Sequence, residues 1–138
     1  MDDEELRRRF SVARVARLAT VRADGSPHIV PVCFALEGDT VVTAVDDVKR
    51  KRSAALSRLD HVRANPRVTM LVDHYDEDWT SLWWVRADGV AQVVEAGTEH
   101  EAAIAALAEK YEQYRERPPS AAAIIVQVDR FAGWAAGA

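Results

Sequence analysis

The sequence predicts an α+β protein, mainly antiparallel β, in which six or seven strands close into a barrel with two or three flanking helices. First, short apolar runs bounded by Gly, Pro, Asp and Asn recur along the chain, as is typical of strands and turns. Second, two longer segments, 53–64 and 98–115, carry helix start and stop signals. Third, a chain of 138 residues without a low-complexity linker favours one domain, 1–138.

The first 45 residues predict a surface helix followed by a β-meander. In the helix, 2–9, acids precede arginines, the order that the helix dipole favours. The meander consists of three short strands at 14–22, 28–36 and 40–45, with turns at ADGS (23–26) and EGD (37–39). Pro31 lies inside the second strand and has no N–H to donate, so we expect a sheet edge or a bulge there.

The rest of the chain alternates helices and strands. Ser53 caps a helix that Asn65-Pro66 ends, and Thr98 opens the second long helix with the form of a capping box. Strands are predicted at 67–75, at 80–94, and at 122–128 before a short tail containing Phe131 and Trp134. Residues 80–94 form either one strand with a bulge at Asp88-Gly89 or two strands of a hairpin.

Two of the predicted strands carry apolar side chains on both faces. Trp83 and Trp84 are adjacent, so they point to opposite faces and only one of them can fill the barrel. The other needs cover from a helix, a ligand or a second subunit. Residues 122–128 have the same two-sided apolar pattern. Together the two strands favour a homodimer with a large interface.

Composition excludes several classes of function. The net charge of −4 argues against a bulk nucleic-acid binder, and no apolar run approaches the roughly 20 residues that cross a bilayer. The charged N-terminus has no signal-peptide core, so we expect a cytoplasmic protein. The single cysteine, Cys33, excludes an internal disulfide and a multi-cysteine zinc site.

Protein-based catalytic groups are not evident in the sequence. Cys33 lies in an apolar strand and is interpreted as a buried structural thiol. The histidines lack metal-ligand spacing, and the acids around 73–78 are interpreted as a solvated turn, so no metal site is predicted. No nucleophile elbow, P-loop or dinucleotide fingerprint is present. The catalytic residues, if any, are therefore unassigned.

A basic segment is the most informative feature of the sequence. Residues 48–67 contain seven Lys or Arg side chains against one acid, and four of the seven are consecutive at 49–52. Lys49 and Lys51 alternate just before a helix start, so they are able to converge on one phosphate or carboxylate. The competing interpretation is a solvated charge run. Four tryptophans in so small a chain also suit a planar aromatic ligand, which favours a cofactor with a ring and an anionic end.

Nearly the whole chain resembles the split β-barrel flavin and deazaflavin oxidoreductases, the superfamily of pyridoxamine 5′-phosphate oxidase. The resemblance is carried by RVARLATVRADGSPHIVPVCF, KRK, RANPRVTMLVDHYDEDW, SLWWVRADGVA and the closing RFAGW. Within the superfamily the chain is most similar to the small actinobacterial class of coenzyme F-420-dependent enzymes. The resemblance implies a homodimer with two cofactor sites at the subunit interface and a small-molecule acceptor, without nucleic acid or membrane partners.

The resemblance also implies which residues hold the cofactor. Second-strand residues border the ring, and third-strand residues follow it toward the phosphate: Ile29, Val30, Pro31 and Val32, then Thr43, Ala44 and Val45. Lys49 and Lys51 match the family's phosphate pair, although the family often has arginine where this chain has Lys49. Trp134 is expected to reach the cofactor of the other subunit.

Coenzyme F-420 is the expected cofactor, and FMN is the alternative. F-420 carries a phosphodiester and a glutamate tail, which four consecutive bases followed by Arg58 suit better than a single phosphate. The expected reaction is hydride transfer to a conjugated acceptor, with His28, His74 or solvent as the proton source. Three alternatives remain open: an FMN-dependent oxidase or reductase, a non-catalytic cofactor- or haem-binding protein, and a small nucleic-acid-binding barrel.

Overall fold

Seven strands form one antiparallel sheet in the computed structural model, which describes residues 1–45 and 52–137. The strands are β1 (Ala16–Val21), β2 (Pro27–Val32), β3 (Ala35–Glu37), β4 (Thr40–Ala44), β5 (Arg67–His74), β6 (Trp83–Val94) and β7 (Ala123–Ala135). The described residues also form four α-helices, α1 (Asp3–Val12), α2 (Arg52–Ala64), α3 (Thr98–Lys110) and α4 (Glu112–Glu116), and a 3₁₀ turn at Trp79–Ser81. The predicted α+β class and strand number are confirmed, with one helix more than expected.

The strand order is β2-β1-β5-β6-β7-β4-β3. Both hairpin pairings of the predicted meander are confirmed, since β1 pairs with β2 and β3 with β4, but its second strand is divided into two. Segment 28–36 breaks after Val32, and its two halves become the opposite ends of the sheet. Only two residues separate β2 from β3, so these ends lie within about 11 Å and the sheet has to curve into a barrel. The third predicted strand, β4, pairs on one side with β3 and on the other with β7, and the pairing with β7 buries Ile124 and Val126 in the core. Pro31 lies on the edge strand β2, as predicted.

Two helices close the inside of the curved sheet. Leu6 and Phe10 of α1 and Leu59 and Val62 of α2 are buried in the main core. They pack there with inward-facing strand residues, among them Leu18, Met70, Val85 and Val126. Asp2 caps α1 by accepting a hydrogen bond from Glu5 N at 2.9 Å, which fixes where that helix begins.

Helix α3 covers the outer face of β4 and β7. Ala103, Ala106 and Leu107 form a second apolar cluster there with Val42 and Ala123. The second apolar face of segment 122–128 is therefore covered by α3 of the same chain, so this segment does not by itself favour a second subunit. The most exposed part of the sheet lies elsewhere, on β1, β2 and β5, where Arg17, Ile29, Pro31 and Asp73 are exposed.

The predicted helix 98–115 is broken at Tyr111. This residue has extended backbone angles, φ −117° and ψ 124°, so α3 and α4 are separate. The predicted capping box is also wrong, because Gly97 is the N-cap, at φ 95°, and no side chain caps α3. The break brings the Tyr111 hydroxyl to the backbone of Phe34, where it accepts a hydrogen bond from Phe34 N at 3.1 Å.

Residues 83–94 form one continuous strand, as the first of the two alternatives predicts. Its pairing with β7 shifts register between Asp88 and Gly89, and the extra residue is Asp129 on β7. A Cβ on Gly89 would lie 2.3 Å from Gln127 O, so only glycine fits at this step. The predicted tail is instead the second half of β7. No helix in the described ranges is long and apolar enough to cross a membrane.

Candidate functional site

The predicted ring-binding residues of β2 divide between the two faces of the strand. Ile29 is 63% exposed and Pro31 is also exposed, so both point outward from the barrel. Val32 is buried in the core, and Val30 packs against it. Of this predicted set, only Ile29 and Pro31 present side chains that a ligand on the outer face is able to contact.

The predicted residues of β4 lie inside the protein. Thr43, Ala44 and Val45 are all buried, and the Thr43 hydroxyl donates to Cys33 O at 2.6 Å. Val45 N donates to Ala122 O at 3.1 Å, which continues the pairing with the segment before β7. Their side chains therefore fix the position of the β2–β3 connection. Lys49 and Lys51 lie outside the described residues.

A pocket of about 590 Å³ opens beside the end of β2. It combines two basic residues, two tyrosines and the half-buried Cys33; its lining is Arg14, Val15, Cys33, Tyr111, Gln113, Tyr114 and Arg117. None of the described carboxylates lines it. Because Cys33 directly follows Val32, the pocket adjoins the predicted cofactor-binding strand.

Hydrogen bonds and ring contacts hold one wall of this pocket. Arg14 lies with its guanidinium carbon 4.6 Å from the Tyr111 ring centroid and donates to Lys110 O at 3.0 Å. The Tyr111 hydroxyl lies 2.8 Å from Arg14 O and 3.0 Å from Phe34 O. Burial raises the pKa of Tyr111, so this hydroxyl keeps its proton at neutral pH. The wall is thus a preformed cationic and aromatic surface.

Lys110 adds a partly buried ammonium group next to this wall. Its Nζ donates to Ala13 O at 2.7 Å and lies 3.8 Å from the Phe34 ring centroid. Burial lowers the pKa of Lys110 to about 8, and the positive charge of Arg14 acts in the same direction. The charged form is therefore costly, although it remains the main form at neutral pH.

We expect the free energy of unfolding of the original protein to rise between pH 7.5 and 9.5, and we expect Lys110→Met to abolish this rise. Because the folded pKa of about 8 lies below the usual 10.5, the unfolded chain binds more protons in this range. The free energy of unfolding of the original protein therefore rises with pH, by about 1–2 kcal/mol after allowance for half-burial. Urea unfolding at the two pH values measures the change. An equal rise in both proteins would show that Lys110 is not its source.

A second pocket, of about 400 Å³, lies on the outer face of β5, β6 and β7 and is rich in aromatic residues. Trp84 and Trp134 are direct cross-strand partners within it, and Trp134 is 48% exposed. Trp83 packs on the opposite face against the main core, as the alternation predicts. Trp134 lies four strands from β2 in the sheet order. Its predicted contact with the cofactor of a partner subunit stays a prediction.

The two histidines considered as proton sources differ in environment. The ring of His28 lies 4.7 Å from that of His61, and its buried Nδ1 has no hydrogen-bond partner among residues 1–45 and 52–137. Burial, followed by the charges of His61 and two arginines, lowers the pKa of His28, so it is neutral at pH 7. His74 is exposed and its ring stacks on Trp83 at 6.1 Å. Neither histidine lines the pocket beside β2.

The acidic turn after β5 has a structural role. The Asp78 carboxylate accepts from Thr80 N at 3.1 Å and from the Thr80 hydroxyl at 2.7 Å, and Asp76 accepts from Asp78 N. These bonds lower the pKa of Asp78 and start the 3₁₀ turn. Over residues 1–45 and 52–137, no three His, Cys, Asp or Glu side chains are grouped as a metal site requires.

The sequence did not single out most residues of the pocket beside β2. Arg14 and Tyr111 are 97 positions apart in the chain, and no local motif joins them. The break at Tyr111 was hidden by helix-forming residues on both sides. Cys33 was predicted to be a buried thiol within a strand, but it lies in the connection between β2 and β3, lines a pocket and is only half buried.

Comparisons with known proteins agree on the fold. The chain is similar to a conserved hypothetical protein from Mycobacterium tuberculosis (TM-score 0.75, 20% identity, covering 98% of this chain and 85% of that one). It is similar to an FAD-binding protein from Mesorhizobium loti (TM-score 0.73, 21% identity, 96% and 94%). It is also similar to HutZ, a haem storage protein from Vibrio cholerae (TM-score 0.68, 18% identity, 97% and 92%).

No curated protein matched the chain in a sequence comparison. Residues 2–135, by contrast, match the family described as pyridoxamine 5′-phosphate oxidase. This match spans all seven strands and both pockets described above. The chain therefore belongs to the pyridoxamine 5′-phosphate oxidase family.

Proposed function

We propose that this protein is an oxidoreductase that uses the deazaflavin coenzyme F-420 to transfer a hydride to a conjugated small-molecule acceptor. The observation that carries the proposal is the cationic and aromatic pocket that adjoins β2. Its residues fit a planar, electron-poor molecule, because the partly exposed ring of Tyr114 is able to stack on flat groups and the arginines attract anionic ones. Its volume of about 590 Å³ is in the range of small-molecule sites.

In this proposal the chain's own residues bind the cofactor and orient the acceptor. Ile29 and Pro31 offer an apolar edge to the ring, while Lys49 and Lys51 hold the phosphate. Arg14 and Arg117 orient the acceptor in the pocket, and Tyr111 keeps that wall in place. When bound, the deazaflavin supplies the hydride. A protein that positions two ligands in this way requires no nucleophile of its own.

The uncovered sheet face supports a homodimer. Five residues on this face of β2, β5, β6 and β7 are apolar and partly or fully exposed, with Arg17 and Arg86 among them: Ile29, Pro31, Leu71, Trp84 and Trp134. An exposed apolar face of this kind usually marks a protein interface. In a dimer built on this face, Trp134 of one subunit is available to the cofactor held near β2 of its partner. In the proposed dimer the aromatic pocket contacts the partner's cofactor, whereas in a single subunit it has no assigned role.

FMN is the second candidate cofactor, and the similarity to the FAD-binding protein from Mesorhizobium loti favours a flavin. The basic segment favours F-420, because its four consecutive bases at 49–52 match a longer anionic tail. The single phosphate of FMN would need only two of these four basic residues. The two cofactors are distinguishable in one binding experiment.

We expect tight binding of oxidised F-420 and at least tenfold weaker binding of FMN to the purified protein. Binding is measured by quenching of tryptophan fluorescence, with the oligomeric state determined by light scattering on the same sample. Binding of FMN in preference to F-420 would replace the proposal with the flavin alternative. Binding of neither cofactor would refute both, and haem would be titrated next.

A further inference from the structure

A groove of about 680 Å³ runs between α3 and the outer face of the sheet, away from the pocket beside β2. One wall is the alanine-rich side of α3, formed by Ala102, Ala103 and Ala106. The floor includes Val42 and Ile125. The alanines of α3 and the two floor residues therefore make the central part of the groove apolar.

The groove crosses the strands. Glu37 pairs with Thr40, Thr40 with Gln127, and Gln127 with Val90, so these residues form one row across β3, β4, β7 and β6. Helix α3 runs beside this row, because Glu99 at its start accepts from Gln92 of β6 at 3.1 Å. The row spans three strand spacings of about 4.8 Å each, roughly 14 Å in total. One carboxylate thus lies near each end of the groove, Glu99 at β6 and Glu37 at β3.

Neither carboxylate is paired with a cation among the described residues. Neighbouring acids in the chain are paired: Asp39 with Arg7, Asp129 with Arg67, and Glu95 with Arg63. No basic residue of the part of the chain that the structure describes lines the groove. The groove therefore combines an apolar centre with two glutamates that form no ion pair within the described residues.

We propose that this groove binds a linear dication, an α,ω-diamine or a polyamine. Each ammonium end pairs with one glutamate, and the methylene chain lies along the alanines of α3 and over Val42 and Ile125. The amide and hydroxyl oxygens of Gln127 and Thr40, midway along the row, are able to accept from a secondary ammonium of a polyamine. The distance between the two glutamates favours long diamines, because a short diamine cannot reach both carboxylates.

The test titrates 1,8-diaminooctane into isotopically labelled protein and follows amide chemical shifts. We expect saturable shifts at Thr40, Ala102 and Gln127 that weaken as salt is raised. Octylamine, which lacks one charge, and 1,3-diaminopropane, which is too short, should each bind at least tenfold more weakly. Glu37→Gln combined with Glu99→Gln should also weaken binding of the diamine at least tenfold.

Glu101→Gln is the matched control, since Glu101 is in the same first turn of α3 but does not line the groove. It should bind 1,8-diaminooctane as the original protein does. Equal binding by the original protein and the double variant would overturn the proposal, as would equal affinity for octylamine. Shifts that never saturate would overturn it too. None of these outcomes depends on F-420 binding, so the experiment tests diamine binding independently of the proposed redox function.

Discussion

Phe10→Ala is expected to lower the free energy of unfolding by about 4 kcal/mol, the largest effect that we predict for a single residue. Phe10 is fully buried where α1 closes the barrel. Its ring centroid lies 4.9 Å from that of Phe34 and 5.6 Å from that of Phe131. The substitution leaves a cavity and also removes both aromatic contacts. Urea unfolding at pH 7 measures the loss.

Val12→Ala is the control for this experiment. Val12 is in the same helix but is 62% exposed, so its truncation should change the free energy of unfolding by less than about 0.5 kcal/mol. If Phe10→Ala cost no more than Val12→Ala, α1 would not be part of the core. Phe10 contacts Phe34, between β2 and β3, and Phe131, in β7. A small effect would therefore also contradict the packing of α1 between these two parts of the curved sheet.

Local signals predicted most of the strands and helices correctly. Pro31 indicated a sheet edge because it has no N–H, and β2 is indeed an edge strand. Asn65-Pro66 ended α2 at Ala64. The Asp88-Gly89 pair marked the register shift of β6, where no side chain fits against Gln127 O. In each case the backbone chemistry of one or two residues decided the outcome.

Long-range pairing was not predictable in the same way. Nothing local in segment 28–36 distinguishes one strand from two strands at opposite ends of the sheet, because the division depends on pairing of β4 with β7, some 80 residues later. The two apolar faces of segment 122–128 were interpreted as a sign of a second subunit. The structure covers one of them with α3, a choice that depends on packing rather than on sequence pattern.

The candidate site shows the same limit. The sequence singled out the basic segment because its residue types are unusual in their own neighbourhood, and the resemblance to the family singled out β2 as a predicted cofactor-binding strand. It did not bring Arg14, Cys33 and Tyr111 together, since their contact depends on the break between α3 and α4. The pocket that best supports the proposed function is therefore a product of the tertiary fold.

Lys49→Ala combined with Lys51→Ala is expected to weaken F-420 binding by about 2–4 kcal/mol, roughly 30- to 1,000-fold. Each lysine would contribute a charge-assisted hydrogen bond to the phosphate, with some redundancy between them. The fold should survive, because the segment is polar and basic residues rarely carry a core. Fluorescence titration measures binding, and circular dichroism checks that the secondary structure is unchanged.

Arg50→Ala combined with Arg52→Ala is the matched control for this pair. It removes the same charge from the same run of four bases, so general attraction of the anionic tail falls equally in both variants. If alternate residues converge on one phosphate, the arginine pair should cost no more than about tenfold, within the range of charge–charge attraction near a surface. Equal losses in the two variants would mean that the segment attracts the cofactor only as a diffuse positive charge. Normal binding by the lysine variant would mean that the phosphate is held elsewhere, with Arg14 and Arg117 of the pocket beside β2 as the next residues to substitute.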